Sequence, residues 1–235
     1  MADLEFIEIG TADFDTYIQS TPQEEGGGFK GLSVEAVPHY INKLPDHPNV
    51  IKVNAALVTE DYLKNNEFID VYYVPEDNIW HFNLGDWMKG CNSVGRPHDF
   101  HTRYFHNPSI WHHATDEERA NFETHNLVEK GLVTIEKIKC LSYSNLMEMF
   151  NVDHVKTLKT DTEGQDAELL IDIINNYYIK NNKLNYLPEK IMFEDNVHSN
   201  KELMIQAKEL LRSVGYEIDD THTVVHDSYA VLKRG

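Results

Sequence analysis

An α/β fold on a mostly parallel sheet is predicted by three observations. Short β-branched or aromatic runs recur along the chain, apolar runs at helical spacing follow the later ones, and several of the strand-like runs end in acids or asparagine. Alternation of this kind implies a mostly parallel sheet with right-handed crossovers. The 235 residues, 41% of them apolar, fit one large domain with a substantial core.

The elements follow in order. Leu4 to Ile9 (LEFIEI) reads as the first strand, ended by Gly10. Residues 11–30 contain GGGF and little helical periodicity, so the first crossover is expected to be abbreviated. GLSVEA, residues 31–36, is a second strand closed by Pro38, and VIKVNAALV, residues 50–58, is a third, rich in β-branched residues. DVYYV (70–74) and TIEKIKC (134–140) are further extended segments. Between them, residues 75–131 form a long insertion with HDFHTRYFHNPSIWHH near its middle. Long insertions in compact domains are often lids or binding loops.

VKTLKTD, residues 155–161, delivers Asp161 to the carboxyl end of a strand. A helix should follow, because Leu169, Leu170, Ile173, Ile174, Tyr177 and Tyr178 repeat at helical spacing. KIMFEDN, residues 190–196, is another strand ending in acids. Ser199 with Glu202 resembles a capping box for an amphipathic helix through Leu203, Met204, Ala207, Leu210, Leu211 and Val214, stopped at Gly215. GYEID and YAVLK complete the sheet.

Charge and cysteine usage narrow the function. With 39 acidic and 21 basic residues the net charge is -18, and no Lys/Arg cluster relieves it, so nucleic acid is not an expected partner. Cys91 and Cys140 have no CxxC pairing and read as reduced thiols, which predicts a cytoplasmic protein. No apolar run approaches transmembrane length, and MADLEFIEIG lacks the basic-then-apolar pattern of a secretion signal, so no membrane association is expected.

Ligands of parallel sheets bind outside the carboxyl ends of the strands. Glu8, Gly10, Glu35, Asn54, Asp161, Glu194, Asp195 and Asn196 all fall at or near such ends, which makes that rim the expected site.

In their order, FIEIG, GLSVEAVPHY, NAAL, GCNSVG, LKTDTEGQDAELL and KIMFEDN...LLRSVGYEI resemble the FkbM-type S-adenosylmethionine-dependent methyltransferases across nearly the whole chain. LKTDTEGQDAELL, similar to the family's K-I-D-[VT]-E-G signature, is the most specific piece. The resemblance implies a Rossmann-like class I methyltransferase sandwich over residues 1–235. Such a sandwich has a seven-stranded sheet, its last strand antiparallel, with helices on both faces. It also implies a cofactor-binding set of Glu8, Gly10, Thr11, Asp15, Glu35, Ala36, Asn54 and Ala55. Glu8 and Gly10 match the first motif beside the methionine part of S-adenosylmethionine, where a side chain would collide with the ligand. Glu35 matches the acid that accepts the ribose hydroxyls, and Asn54 and Ala55 the turn beside the adenine. The chain departs from the family at Phe14, where a second glycine usually falls, leaving Asp13 or Asp15 to meet the cofactor's ammonium.

Asp161 with Asp195 and Asn196 is similar in type and position to the Mg²⁺ set of catechol-type O-methyltransferases of the same fold. Mg²⁺ or Mn²⁺ is thus one reading of these acids. The other is that Asp161 and Glu163 anchor the turn by accepting backbone N–H bonds. Without a metal, Asp161 or Glu163 is the expected general base and His198 a second candidate. The expected activity is O-methylation of a sugar hydroxyl, in a glycan or a small glycosylated metabolite. The alternatives are Mg²⁺-dependent methylation of a phenolic or catechol-like molecule, and a cofactor-free binding module.

In the insertion, His98, His101, His106, His112 and His113 offer a Zn²⁺ pair. No acid or cysteine partner has recognisable spacing, so a polar surface lid is favoured. Trp80, Phe82, Trp87, Tyr104, Phe105 and Trp111 crowd the same stretch, some to pack beneath it and others to stack on sugar rings.

Overall fold

The strand-forming runs pair as the pattern predicts, with boundaries set by packing. The computed structural model describes residues 2–12, 17–21, 30–104, 115, 117–118, 125–195, 199–219 and 227–233. Asp13, Phe14, Asp15, Phe105, His106, Trp111, His112, His113, Asn196 and His198 lie outside the described residues. In chain order the strands are β1 (Ala2–Ile9), β2 (Gly31–Glu35), β3 (Val50–Asn54), β4 (Ala56–Leu57), β5 (Phe68–Tyr73), β6 (Ser93–Val94), β7 (Thr134–Leu141), β8 (Val152–Thr160), β9 (Lys190–Glu194), β10 (Tyr216–Asp219) and β11 (Asp227–Leu232). The fold is α/β, with a seven-stranded sheet in the order β10-β11-β9-β8-β1-β2-β3 and a second sheet in the order β4-β7-β5-β6.

In the larger sheet β9, β8, β1, β2 and β3 run parallel, while β11 is antiparallel to both β9 and β10. Opposing residues include Ile9 with Thr160 and Val34, Glu35 with Asn54, and Thr160 with Phe193. Five neighbouring strands therefore finish along one edge.

β2 is buried at every position, as a central parallel strand covered on both faces must be. Adjacent strand residues face opposite ways. Phe6 accordingly joins Ile18, Ile41, Leu44 and Val50, from the helices Tyr17–Ser20 and Pro38–Lys43 and their surroundings. Ile7 and Ile9 join the larger core with Leu146, Leu170, Ile174, Met204 and Leu211.

Several expected elements differ in detail. The run expected as one strand over 50–58 divides at Ala55. β3 stays in the large sheet, and β4 leaves to pair with β7, Ala56 opposite Cys140. The helix beginning at Asp166 is α-helical to Asp172 and a π-helix over Ile173–Ile179, a wider turn that buries Ile173, Ile174, Tyr177 and Tyr178 together. The N-cap of the helix Lys201–Ser213 is Asn200, whose side chain accepts from the Glu202 and Leu203 amides, so Ser199 is not the cap. The helix Tyr143–Met149 is too short for periodicity to reveal, but Ser142 and Asn145 close a capping box at its start.

The chain divides into two compact units, one of Met1–Ile69 with Ile138–Gly235 and the other Asp70–Lys137. The second unit contains the whole of the expected insertion at 75–131 and has its own core of Val74, Ile79, Met88, Cys91, Phe100, Tyr104, Leu127 and Leu132. Of its aromatics, Trp87 and Tyr104 stack with centroids 5.7 Å apart, whereas Trp80 and Phe82 are exposed.

Candidate active site

The rim is built from backbone outward. Gly10 ends β1 with φ +77°, and its N–H donates to the Val34 carbonyl at 2.9 Å. The Asp161 N–H donates to the Ile9 carbonyl at 3.0 Å, which brings the exit of β8 against Gly10. A Cβ on Gly10 would stand 1.8 Å from the Asp161 carbonyl oxygen. The glycine is therefore demanded by the chain itself, where a collision with ligand was expected.

Glu8, Gly10's neighbour but one, is fully buried. Its Oε1 lies 3.0 Å from the Lys159 ammonium and its Oε2 accepts from the Tyr17 amide at 2.9 Å. Burial pushes this carboxyl above its ordinary range, with Lys159 opposing. Glu8 thus acts as a strut between β1, β8 and the first helix.

Glu35 is also buried, and both its oxygens hold backbone: Oε2 accepts from Ala12 at 2.9 Å and Oε1 from Val37 at 2.7 Å. The turns after β1 and β2 are tied together through this one carboxylate, with Thr11 buried beside them. Asn54 extends the stitching, donating from Nδ2 to the carbonyls of Glu35 at 2.9 Å and Ala36 at 3.0 Å. The Ala55 amide adds a bond to the Glu35 carbonyl at 3.2 Å.

On the other side of Gly10, carboxylate oxygens of Asp161, Glu163 and Glu194 all lie within 4.8 Å of one another. Glu194 is buried, and the other two are partly exposed. Glu163 (φ +52°) and Gly164 (φ +102°) are consecutive left-handed residues that make the turn after β8. A non-glycine residue there costs about 1–3 kcal/mol and persists only where its surroundings hold it.

The holding group is Asp166, fully buried, whose Oδ2 accepts from the Thr162 amide at 3.1 Å and hydroxyl at 2.9 Å. Burial raises its carboxyl, and these bonds oppose the rise. The anchoring role considered for Asp161 and Glu163 therefore has a third acid, Asp166, to perform it.

Asp195 does not join the cluster found here. Its Oδ2 pairs with the Lys208 ammonium at 2.5 Å and lies 3.5 Å from the Ser228 hydroxyl. Glu194 takes the expected place because successive residues at a strand end point opposite ways.

The cluster fits a hard divalent cation by its chemistry. Three carboxylates offer oxygen ligands only, and two metal–oxygen bonds of about 2.0–2.6 Å span the observed separation. Ionised together, they repel by on the order of 1–3 kcal/mol per pair, between the limits for water and for a protein surface.

The histidine pair of the second unit does not fit a metal. Nδ1 of His98 accepts from the Phe100 amide at 3.1 Å, and Nδ1 of His101 accepts from the His98 amide at 3.2 Å. Each Nε2 therefore carries the proton and has no lone pair for zinc. Both rings are buried, at 4% and 0% exposure, so they are caps of the helix Asp99–Thr102 and not part of a polar lid surface. Burial lowers them to about 4 and about 3 respectively.

Compared with family models, curated proteins and solved structures, the chain has no match in any of the three. Glu194 and Asp166 are the rim residues whose roles sequence reasoning missed. KIMFEDN carries no signal that separates Glu194 from Asp195, whereas position at a helix start was the available signal for Asp166.

Proposed function

We propose that this chain is an S-adenosylmethionine-dependent O-methyltransferase whose acceptor hydroxyl meets a carboxylate-held Mg²⁺ or Mn²⁺. The observation that carries this reading is the rim itself. Glu194, Asp161, Gly10, Glu35 and Asn54 stand at the carboxyl ends of five consecutive strands, β9, β8, β1, β2 and β3. An acidic cluster at one end of that line and a stitched pair of turns at the other supply the two halves a methyl transfer needs. The acceptor implied by the family resemblance is a sugar hydroxyl of a glycan or glycosylated metabolite.

In this reading the turns held by Glu35 and Asn54 receive the nucleoside end, with Glu35 toward the ribose hydroxyls. S-adenosylmethionine supplies a methyl group already activated on sulfur, so alignment provides much of the rate. A divalent cation on Asp161, Glu163 and Glu194 would lower the acceptor's pKa. Without the cation, Asp161 or Glu163, both partly exposed, would instead take the acceptor's proton as the oxygen–carbon bond forms and the carbon–sulfur bond breaks.

Calorimetric titration of the chain with S-adenosylmethionine tests the base of this reading. Saturable heat is expected, weakened in Glu35→Ala and retained in Asp161→Ala, which loses turnover. No heat at millimolar cofactor removes the proposal, and equal loss of binding in both variants removes the division of the rim.

A second reading, a cofactor-free binding module, is favoured by one observation: the Ala12 and Val37 amides already occupy both oxygens of Glu35. The same titration decides between the two.

A further inference from the structure

We propose that the unit Asp70–Lys137 carries a ligand pocket of its own, fitted to a small carboxylate with an apolar body. The pocket encloses about 440 Å³, within the range of about 300–1,000 Å³ typical of small-molecule sites. Phe82, Leu127, Leu132 and the Tyr104 ring are among the groups that wall it, and His125 and Lys130 also line it. It uses no residue of the carboxylate rim.

The walls are fixed without a ligand. The Tyr104 ring stacks on Trp87, and its hydroxyl accepts from the Gly85 amide at 3.1 Å. Tyr104 and His125 exchange backbone bonds of 2.9 and 2.8 Å, and the Leu132 amide reaches the Leu127 carbonyl at 2.9 Å. A preformed apolar cavity lets burial of an apolar body count toward affinity with little ordering cost.

The charge at the lining selects the sign of the ligand. The Lys130 ammonium lies 3.1 Å from Nδ1 of His125. An ammonium has no lone pair, so in this contact the ring nitrogen accepts and the lysine donates. Lys52, Lys64, Lys89, Lys156, Lys159, Lys208 and Lys233 each meet a carboxylate. In a chain of net charge -18, Lys130 instead has a ring nitrogen beside it and an apolar pocket. One positive charge beside apolar walls complements a monoanion, and a dianion would leave charge uncompensated.

Calorimetry of the full chain with octanoate, and with octan-1-ol as its neutral counterpart, tests this. Octanoate is expected to bind saturably at one site. Lys130→Met keeps an apolar stem and should weaken octanoate about tenfold while leaving octan-1-ol unchanged. Lys130 is solvent-exposed, so the variant should melt as the parent does. Equal octanoate affinity in parent and variant overturns the proposal, as does the absence of octanoate binding at millimolar concentration.

Discussion

Gly10→Ala is the most informative single change at the rim. The added Cβ would meet the Asp161 carbonyl oxygen at 1.8 Å and its carbon at 2.8 Å, and φ at this position is +77°. Left-handed backbone costs a residue with a Cβ about 1–2 kcal/mol. Separating β1 from the exit of β8 stretches the bond from the Asp161 amide to Ile9, worth about 1 kcal/mol. Overpacking against immobile backbone adds about 1–3 kcal/mol. The sum, about 3–6 kcal/mol, corresponds to a fall in Tm of about 6–24 °C for a chain of this size. Gly131→Ala is the control, because Gly131 has a similar φ of +69° but nothing within 4 Å of its added Cβ. It should show the backbone penalty alone, about 2–8 °C. Thermal melts of the two variants by circular dichroism separate the clash from the strain. If Gly10→Ala melts no lower than Gly131→Ala, the close approach of Asp161 to Gly10 is refuted.

Three further outcomes follow from the geometry. Mg²⁺ or Mn²⁺ at about a hundred times its Kd should stabilise the chain by about 2.7 kcal/mol, read as a rise in Tm. Glu194→Gln should abolish that rise and Asp195→Asn should keep it; the reverse pattern refutes the assignment. Acidification should destabilise the second unit, because His98 and His101 stay neutral when folded, to about 4 and about 3, while the unfolded imidazoles protonate near 6.5. That stability is present above about pH 6.5 and is lost as pH falls toward the folded values, about 4 kcal/mol for the pair by pH 5. Trp80, Trp87 and Trp111, all the tryptophans of the chain, lie in this segment, so urea titrations followed by tryptophan fluorescence report on it; a midpoint unchanged between pH 7 and 5 contradicts the prediction. Asp166→Asn should release the Thr162 amide or hydroxyl and destabilise the chain by about 1–3 kcal/mol in urea titrations, and no loss would show that the turn is held by other groups.

Strand composition makes most of the large sheet legible in the sequence, because β-branched runs ending in polar residues have few other uses. What it could not supply was parity. A central parallel strand is buried on both faces, so the period of two that would show which residue faces the rim is erased from the sequence. β9 illustrates this: its Ile191, Phe193 and Glu194 are all buried, and nothing in KIMFEDN says which of two adjacent acids joins Asp161. Pairing with β8, Thr160 opposite Phe193, makes that choice and sends Asp195 to Lys208. His98 and His101 show the same limit in the second unit. Their charge and spacing suggested surface, whereas a helix of four residues needed caps that a buried imidazole could provide. Gly10 differs, since its necessity was legible and its cause was not: one missing Cβ serves a bound ligand or a neighbouring strand equally well, and only the position of the Asp161 carbonyl distinguishes them.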